Sequence, residues 1–515
     1  MDYLKIGKAT ELTGDDRRLY RWLEILPGFL SWATLFLLLA LSYWQPVFVA
    51  FFIIAFDVYW LLLVVFLGVH LLVAYDRLKK NIKIDWGQKC HELGAVNIEG
   101  KTMAWDDVIH LVFFPTYNES IEVIRTSFSA MLFSNYPVDK MVVVLAVEER
   151  GGEIAHINAE KIKNEFGHKF KDFFVFFHPD GIEGELKGKG ANQAWAASAL
   201  KRDYVDKNNI DYDKILVSVF DIDTVIYPDY FYNLTYKFLT VPNPYRASYQ
   251  PIPVYHNNIW QAPFFARIAA SSNTFWQMMQ QIRQEKLATY SSHSMTWRAL
   301  VDIGFWSTKM VSEDSRIFWH CFCYYKGDYR VEPMNYPVSM DACMDKTLKA
   351  TATSLYKQQR RWGWGVENLP YLIFNTIKNW KTYPKMTMIS RIFTQLYGFH
   401  SWATNALIIA VIGWMPLFLG GAAFNSTTLS TNLPMVTRAL MTFAMSGLVL
   451  SSIIATLLLP KRPDGYSFWK TLLIPVQWVI LPVSIIVFGS IPGLDSQTKL
   501  MFGKYMGFWV TPKSR

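Results

Sequence analysis

Apolar residues gather at the two ends of this chain, while its middle alternates short β-branched runs with charged segments. From Ile25 to Tyr43 the sequence reads ILPGFLSWATLFLLLALSY, and from Val47 to Leu72 it is again almost wholly apolar, with Gln45 and Pro46 between. Each stretch approaches the ~20 residues that cross a hydrocarbon core. The pattern predicts a transmembrane helical hairpin over residues 25–76, after a cytosolic N-terminal segment, 1–24. Arg77, Lys79 and Lys80 follow the second arm, and positive flanks stay inside, so the N-terminus and the next domain are expected in the cytosol.

Residues 77–365 read as a soluble α/β domain. HLVFFPTYNES, MVVVLAVEE and KILVSVFDIDT are apolar runs that open into polar loops, with Ala-, Lys- and Glu-rich helical segments between them. Strands alternating with helices imply a largely parallel sheet, and ligands of such sheets bind beyond the carboxyl ends of the strands. All three of these strand ends carry acids or Asn. An interfacial helical region, 366–394, is expected next, then two transmembrane helices within 395–460, over Leu396–Leu419 and Met435–Leu459. Residues 461–504 contain a further apolar stretch, Phe468–Phe488, broken by Pro475 and Pro482, so an interfacial or re-entrant element is expected there.

Composition agrees with membrane anchoring: 51% of the 515 residues are hydrophobic and 16% aromatic, with a mean hydropathy of +0.12. A net charge of +9 fits a membrane surface better than nucleic acid, because the basic cluster simply flanks a span. No nucleic-acid role is assigned. The four cysteines have neither CxxC nor zinc spacing and read as reduced thiols of a cytosolic domain. The polar N-terminus, charged through Arg21, is unlike a cleavable signal peptide.

The chemistry concentrates at a few points. In VSVFDIDT, Asp221 and Asp223 follow an apolar strand; carboxylates two apart in extended chain project to one side and can share a divalent cation, Mg²⁺ or Mn²⁺. In MVSEDSR, Asp314 can serve as a general base, although acids there also suit a helix N-terminus. In YKQQRRWGWG, Gln358, Arg361 and Trp362 combine planar phosphate recognition with an aromatic face, against the plainer reading of a juxtamembrane helix.

Together these pieces resemble the membrane-bound processive branch of the family 2 glycosyltransferases, the group of cellulose, hyaluronan and chitin synthases. Its ordered pattern appears here as PTYNE, DID, SED and QQRRW, and FWVTPK (508–513) is similar to the gating loop of cellulose synthases. The resemblance implies a GT-A-like, Rossmann-related α/β domain inserted between transmembrane α-helices. It also implies an inverting hexosyltransferase that passes a sugar from a nucleotide-sugar, a UDP-sugar foremost, to a growing polysaccharide. Carried over residue by residue, Thr116, Tyr117 and Glu119 cradle base and ribose, and Glu148 stands where the family has a base-contacting Asp. Lys189 approaches the diphosphate, Asp221 and Asp223 hold donor and metal, and Asp314 is the base. Gln358, Arg361 and Trp362 bind diphosphate and acceptor sugar; Thr511 and Lys513, in a gating loop at 505–515, close over the donor.

If FWVTPK is a gating loop, it must reach the cytosol, and the Pro-broken segment cannot simply cross. The charges agree: Lys461, Arg462 and Lys470 flank one side, and the loop from Gly420 to Pro434 has no Lys or Arg. Four spans are therefore expected, in a plasma or inner membrane with the catalytic domain in the cytosol. Asp57, inside the second arm, either lines a glycan path or bonds a neighbouring helix. The partners implied are nucleotide-sugar, a glycan or glycolipid acceptor, the bilayer, and a homo-oligomer or accessory export subunit. The alternative is a non-processive enzyme adding one sugar to a membrane lipid; a transporter whose soluble domain only binds nucleotide leaves Asp314 and Trp362 without a purpose.

Overall fold

The structure, a computed structural model, describes residues 3–512. Helix α1 (Gly14–Trp44) opens with Asp15 and Asp16 in its first turn, where carboxylates meet the positive end of the helix dipole, and the first apolar stretch follows on the same helix. Gln45 ends it. Pro46, which lacks the N–H that a first helical residue leaves unpaired, at once starts α2 (Pro46–Ile82). At ~1.5 Å per residue the 37 residues of α2 extend about 55 Å, beyond a ~30 Å hydrocarbon core. Arg77, Lys79 and Lys80 therefore sit past the apolar zone.

The soluble body is built on one eight-stranded sheet. Its strands are β1 (Ile109–Thr116), β2 (Met141–Glu148), β3 (Asp172–His178), β4 (Ile215–Val219), β5 (Val225–Ile226), β6 (Ala247–Val254), β7 (Ser294–Thr296) and β8 (Arg330–Ser339). Their spatial order is β3-β2-β1-β4-β7-β6-β8-β5. From β3 to β4 neighbours are parallel; β7 is antiparallel to both of its neighbours, and β5 is antiparallel to β8. The sheet is thus mixed rather than largely parallel; β5 and β7, of two and three residues, are too short to register in the apolar pattern. β1 and β2 are buried on both faces, which is why they read as continuous apolar runs. The architecture is an α/β domain between long apolar helices, as the resemblance implies.

Three helices bear on the site: α3 (Lys189–Leu200), α4 (Glu313–Tyr324) and α5 (Leu348–Gly363). The helix Asn368–Lys378 carries Tyr371 and Leu372 into the same apolar core as Phe318 and Trp319, so the soluble body continues beyond residue 365 into the region the pattern set at the interface.

α6 (Lys385–Ala410) continues through a 40° bend into Ile412–Leu419, and α7 (Thr428–Leu458) runs alongside α2. Leu433 packs with Ala50 and Ile454 with Leu71, so the two helices run parallel, in the same direction. Between them Gly447 permits close approach, since a Cβ there would come within 2.4 Å of Val64. Asp57 is buried in α2 and faces Thr437 of α7. By length and composition α1, α2, α7 and the passage Phe468–Met501 can each cross a membrane, and the bent pair is a further candidate.

The passage Phe468–Met501 touches the soluble body along its length. Ile474 packs with Tyr255 and Met340, Trp478 stacks on Phe275 at 5.6 Å, Phe488 stacks on Phe265 at 5.5 Å, and the Ser496 hydroxyl donates to the Arg360 carbonyl at 2.7 Å. Its last helix, α8 (Ile491–Met501), ends where Arg21 donates to the carbonyls of Leu500, at 2.9 Å, and Met501.

Candidate active site

Each parallel strand ends in a polar loop on one edge of the sheet, and the predicted residues gather there. At the end of β1, the Thr116 hydroxyl and the Tyr117 N–H both donate to the Glu119 carboxylate, each at 2.8 Å. Glu119 thus shapes the PTYNE turn from within. At the end of β2, Glu148 is buried and accepts from Arg150.

Past β4, Asp221 and Asp223 meet different partners. Asp221 accepts from the Ser291 hydroxyl at 2.5 Å and lies 2.7 Å from the Lys189 ammonium. Lys189, the first residue of α3, also donates to both oxygens of Asp314, at 2.8 and 3.0 Å, and stands 4.0 Å from Glu313. One buried ammonium therefore joins the DID and SED motifs. Burial works against its charge, but Asp221, Asp314 and Glu313 outweigh that and hold its pKa well above the usual lysine value. Burial, then the neighbouring Asp314, pushes Glu313 up to about 8. His293, 3.9 Å from Asp314, is kept below its ordinary value chiefly by burial.

Asp223 is buried and faces a carboxylate that the sequence pattern did not single out. β8 and β5 pair Ser339 with Val225; extending that antiparallel register sets Asp341 opposite Asp223, and the Asp341 N–H donates to Asp223 at 3.2 Å. Asn257 ties the two together, donating to the Asp223 carbonyl at 2.8 Å and to the Asp341 carboxylate at 2.9 Å. These hard oxygen donors suit Mg²⁺ or Mn²⁺. Among the described residues no group of three or more His, Cys, Asp or Glu is arranged to enclose a metal, so the fit is to an ion whose shell is completed by phosphate and water.

α4 begins within the SED triplet, and Ser312, the triplet's first residue and the helix N-cap, donates through both N–H and hydroxyl to Glu367, at 3.1 and 2.5 Å. Glu367 also accepts from the Trp364 indole at 2.8 Å. The SED turn is thereby fastened to the stretch after QQRRW. Nothing in the sequence pointed to Glu367, whereas Asp341 carried one signal, an acid just after a strand.

Gln358, Arg361 and Trp362 lie on α5 at i, i+3 and i+4, one helix face, all half-buried. The Arg361 guanidinium lies 5.0 Å from the Phe508 ring, and Lys357 is 5.4 Å from the Trp509 ring. Phe508 rests on the loop before Lys189: a Cβ on Gly188, whose φ is +153°, would come within 2.7 Å of the Phe508 ring. The Thr511 hydroxyl is buried and makes no hydrogen bond among the described residues. Lys513 lies outside the described residues.

The family model for glycosyl transferase family group 2 matches residues 216–488, over half of the chain. No curated protein matches. Among solved structures, the mannosyltransferase PcManGT from Pyrobaculum calidifontis, in complex with GDP-Man and Mn²⁺, is similar at 14% identity and a TM-score of 0.42, over 78% of this chain and 98% of that one. TarS of S. aureus, residues 1–349 in complex with UDP-GlcNAc, is similar at 10% identity and a TM-score of 0.35, over 70% and 95% of the two chains.

Proposed function

Because the chain belongs to glycosyl transferase family group 2 and is a glycosyltransferase, we propose that it is an inverting, processive polysaccharide synthase using a nucleotide-sugar at the cytosolic face of a membrane. The observation that supports this most is the meeting of motifs around Lys189. Asp221 of DID and Asp314 of SED both touch its ammonium, while Phe508 of FWVTPK rests on Gly188 beside it and under Arg361 of QQRRW.

In this reading the acceptor hydroxyl loses its proton to Asp314 as its oxygen attacks the anomeric carbon from the face opposite the leaving group. The bond from that carbon to the diphosphate oxygen breaks, and the nucleoside diphosphate departs. Lys189 and Arg361 are positioned to meet its negative charge. A divalent metal held by Asp221 and Asp223, with Asp341 beside them, would supply further charge neutralisation there. Tyr117 and Glu148 face the nucleoside, Gln358 and Trp362 the acceptor sugar, and Thr511 and Lys513 the donor once the C-terminal segment closes.

The full-length protein in detergent, given radiolabelled nucleotide-sugars and Mn²⁺, tests both levels of the proposal. A ladder or polymer is expected, with one nucleoside diphosphate released per sugar added. A single extractable glycolipid would replace the processive reading by single transfer to a lipid.

A further inference from the structure

FWVTPK closes over a donor only if the chain behind it is fixed, and the fixed point is a buried acid on α1. Glu24 is 1% exposed and lies just before the first apolar stretch. Its carboxylate accepts from the Ala9 N–H at 3.0 Å, from Arg21 at 2.7 Å and from the Tyr505 hydroxyl at 2.8 Å. Arg21 in turn holds the carbonyls of Leu500 and Met501 at the end of α8. One carboxylate thus gathers α1, the stretch before it and the chain that leaves α8.

The same contacts reach the helix that carries Asp314. Ile6, Ala9, Leu12 and Tyr20 are buried with Phe374, and the Ile6 carbonyl accepts from Arg316 at 3.0 Å. Arg316 is 2% exposed and stands two residues after Asp314 on α4. On the other side, Tyr505, Met506 and Phe508 pack against Val311 and Trp364, next to the SED and QQRRW motifs. Tyr505 itself stands between two glycines: Gly503, with a φ of +67°, and Gly507, which has open space where a side chain would stand. The chain bends easily on either side of Tyr505, so the bond from its hydroxyl is what fixes the root of the segment.

We propose that Glu24 is a positioning residue for sugar transfer: by holding the Tyr505 hydroxyl it sets the point about which FWVTPK turns, so that the segment shuts over bound donor and keeps water from the anomeric carbon. Glu24 touches neither substrate nor metal and acts through Tyr505. Its role rests on the closing-segment reading above and adds to it the anchor of the closure. Removing the Tyr505 hydroxyl leaves Glu24 with Ala9 and Arg21, hence a folded protein, but frees the root. Water then competes with the acceptor at the anomeric carbon.

Radiolabelled UDP-, GDP-, CDP- and ADP-sugars, offered with Mn²⁺ to the full-length protein in detergent, test the anchor when sugar transferred and nucleoside diphosphate released are measured together. Wild type is expected to release one diphosphate per sugar added. Tyr505→Phe is expected to lose about tenfold in kcat/KM for the donor, the scale of one hydrogen bond to a charged group, and to release at least roughly twice as much diphosphate as it transfers sugar. Glu24→Gln should raise the ratio as well, and the double variant should go no further than Glu24→Gln alone, because both substitutions break one contact. If Glu24→Gln does not insert, Tyr505→Phe alone decides. Wild-type behaviour of Tyr505→Phe overturns the positioning role and leaves the donor reading standing. So does a fall in turnover at unchanged ratio and donor KM, which marks less folded protein rather than lost closure. No transfer by the wild type from any of these sugars overturns the donor reading, and the role of Glu24 with it.

Discussion

A single ammonium holds the resting site together, and its partners divide cleanly by role. Asp314 lies within hydrogen-bond reach of Lys189 at the start of α4, on a turn fastened by Glu367. Asp314→Asn keeps the shape but cannot take the acceptor proton. Turnover is expected to fall by about 10²–10⁴-fold while nucleotide affinity, measured by titration, changes little; turnover within a few-fold of wild type removes Asp314 from the base role. Glu313 makes a different prediction. It is raised on folding by burial and by Asp314, and an acid raised on folding costs stability wherever it must ionise. That cost is absent below the ordinary carboxyl range, grows as pH rises through it, and is complete above about 8. Glu313→Gln should therefore melt with wild type near pH 4 and above it by a growing margin up to about pH 8–9, roughly 1–2 °C per kcal/mol of penalty for a protein of this size. A margin that shrinks as pH rises contradicts the assignment. Much at this scale was legible in the sequence, because DID, SED and QQRRW each mark themselves by residue type and order. Asp341, Glu367 and Ser291 did not, because each matters only through a neighbour far along the chain.

At the scale of elements, the C-terminal segment and the loop before α3 depend on each other. Gly188 lets Phe508 approach because it lacks a side chain and adopts a φ of +153°. Gly188→Ala is expected to push Phe508 away and lower turnover by roughly a hundredfold, the scale of a small misplacement near reacting groups. Truncation before Phe508 should have a similar effect on an inserted, folded protein, since closing segments complete a site and exclude water. If the truncated chain turns over normally, the segment is no gate. The sequence already showed FWVTPK as a unit, and the parallel strands by their doubly buried apolar runs. It could not show β7, whose three residues turn the sheet antiparallel only through pairing with distant strands. Nor could it show that Asn368–Lys378 lies in the core, since an apolar helix beside a membrane looks the same whether lipid or protein covers it.

For the whole molecule, the question is how a chain with up to five candidate spans brings its C-terminus to the site. Length and composition admit Phe468–Met501 as a span, yet Ile474, Trp478, Phe488 and Ser496 in turn touch the soluble body, which a helix crossing the bilayer could not do along its course. We infer that this passage lies in the cytosolic interface, and that α1, α2, the bent pair from Lys385 to Leu419, and α7 cross. Two hairpins then return the chain to the side where it began, and the Tyr505 hydroxyl meets Glu24 of α1 at 2.8 Å. Cysteine substitution tests the arrangement directly. Gly507 has open space where a side chain would stand, Ser426 is exposed in the turn before α7, and the native cysteines are buried. In a background with those four replaced, Gly507→Cys is expected to react with an impermeant thiol reagent only from the cytosolic side, and Ser426→Cys only from the other. Labelling of both from the outer side means that Phe468–Met501 crosses as well and takes FWVTPK away from a cytosolic nucleotide; labelling of both from the cytosolic side means that the bent pair does not cross and overturns the four-span arrangement.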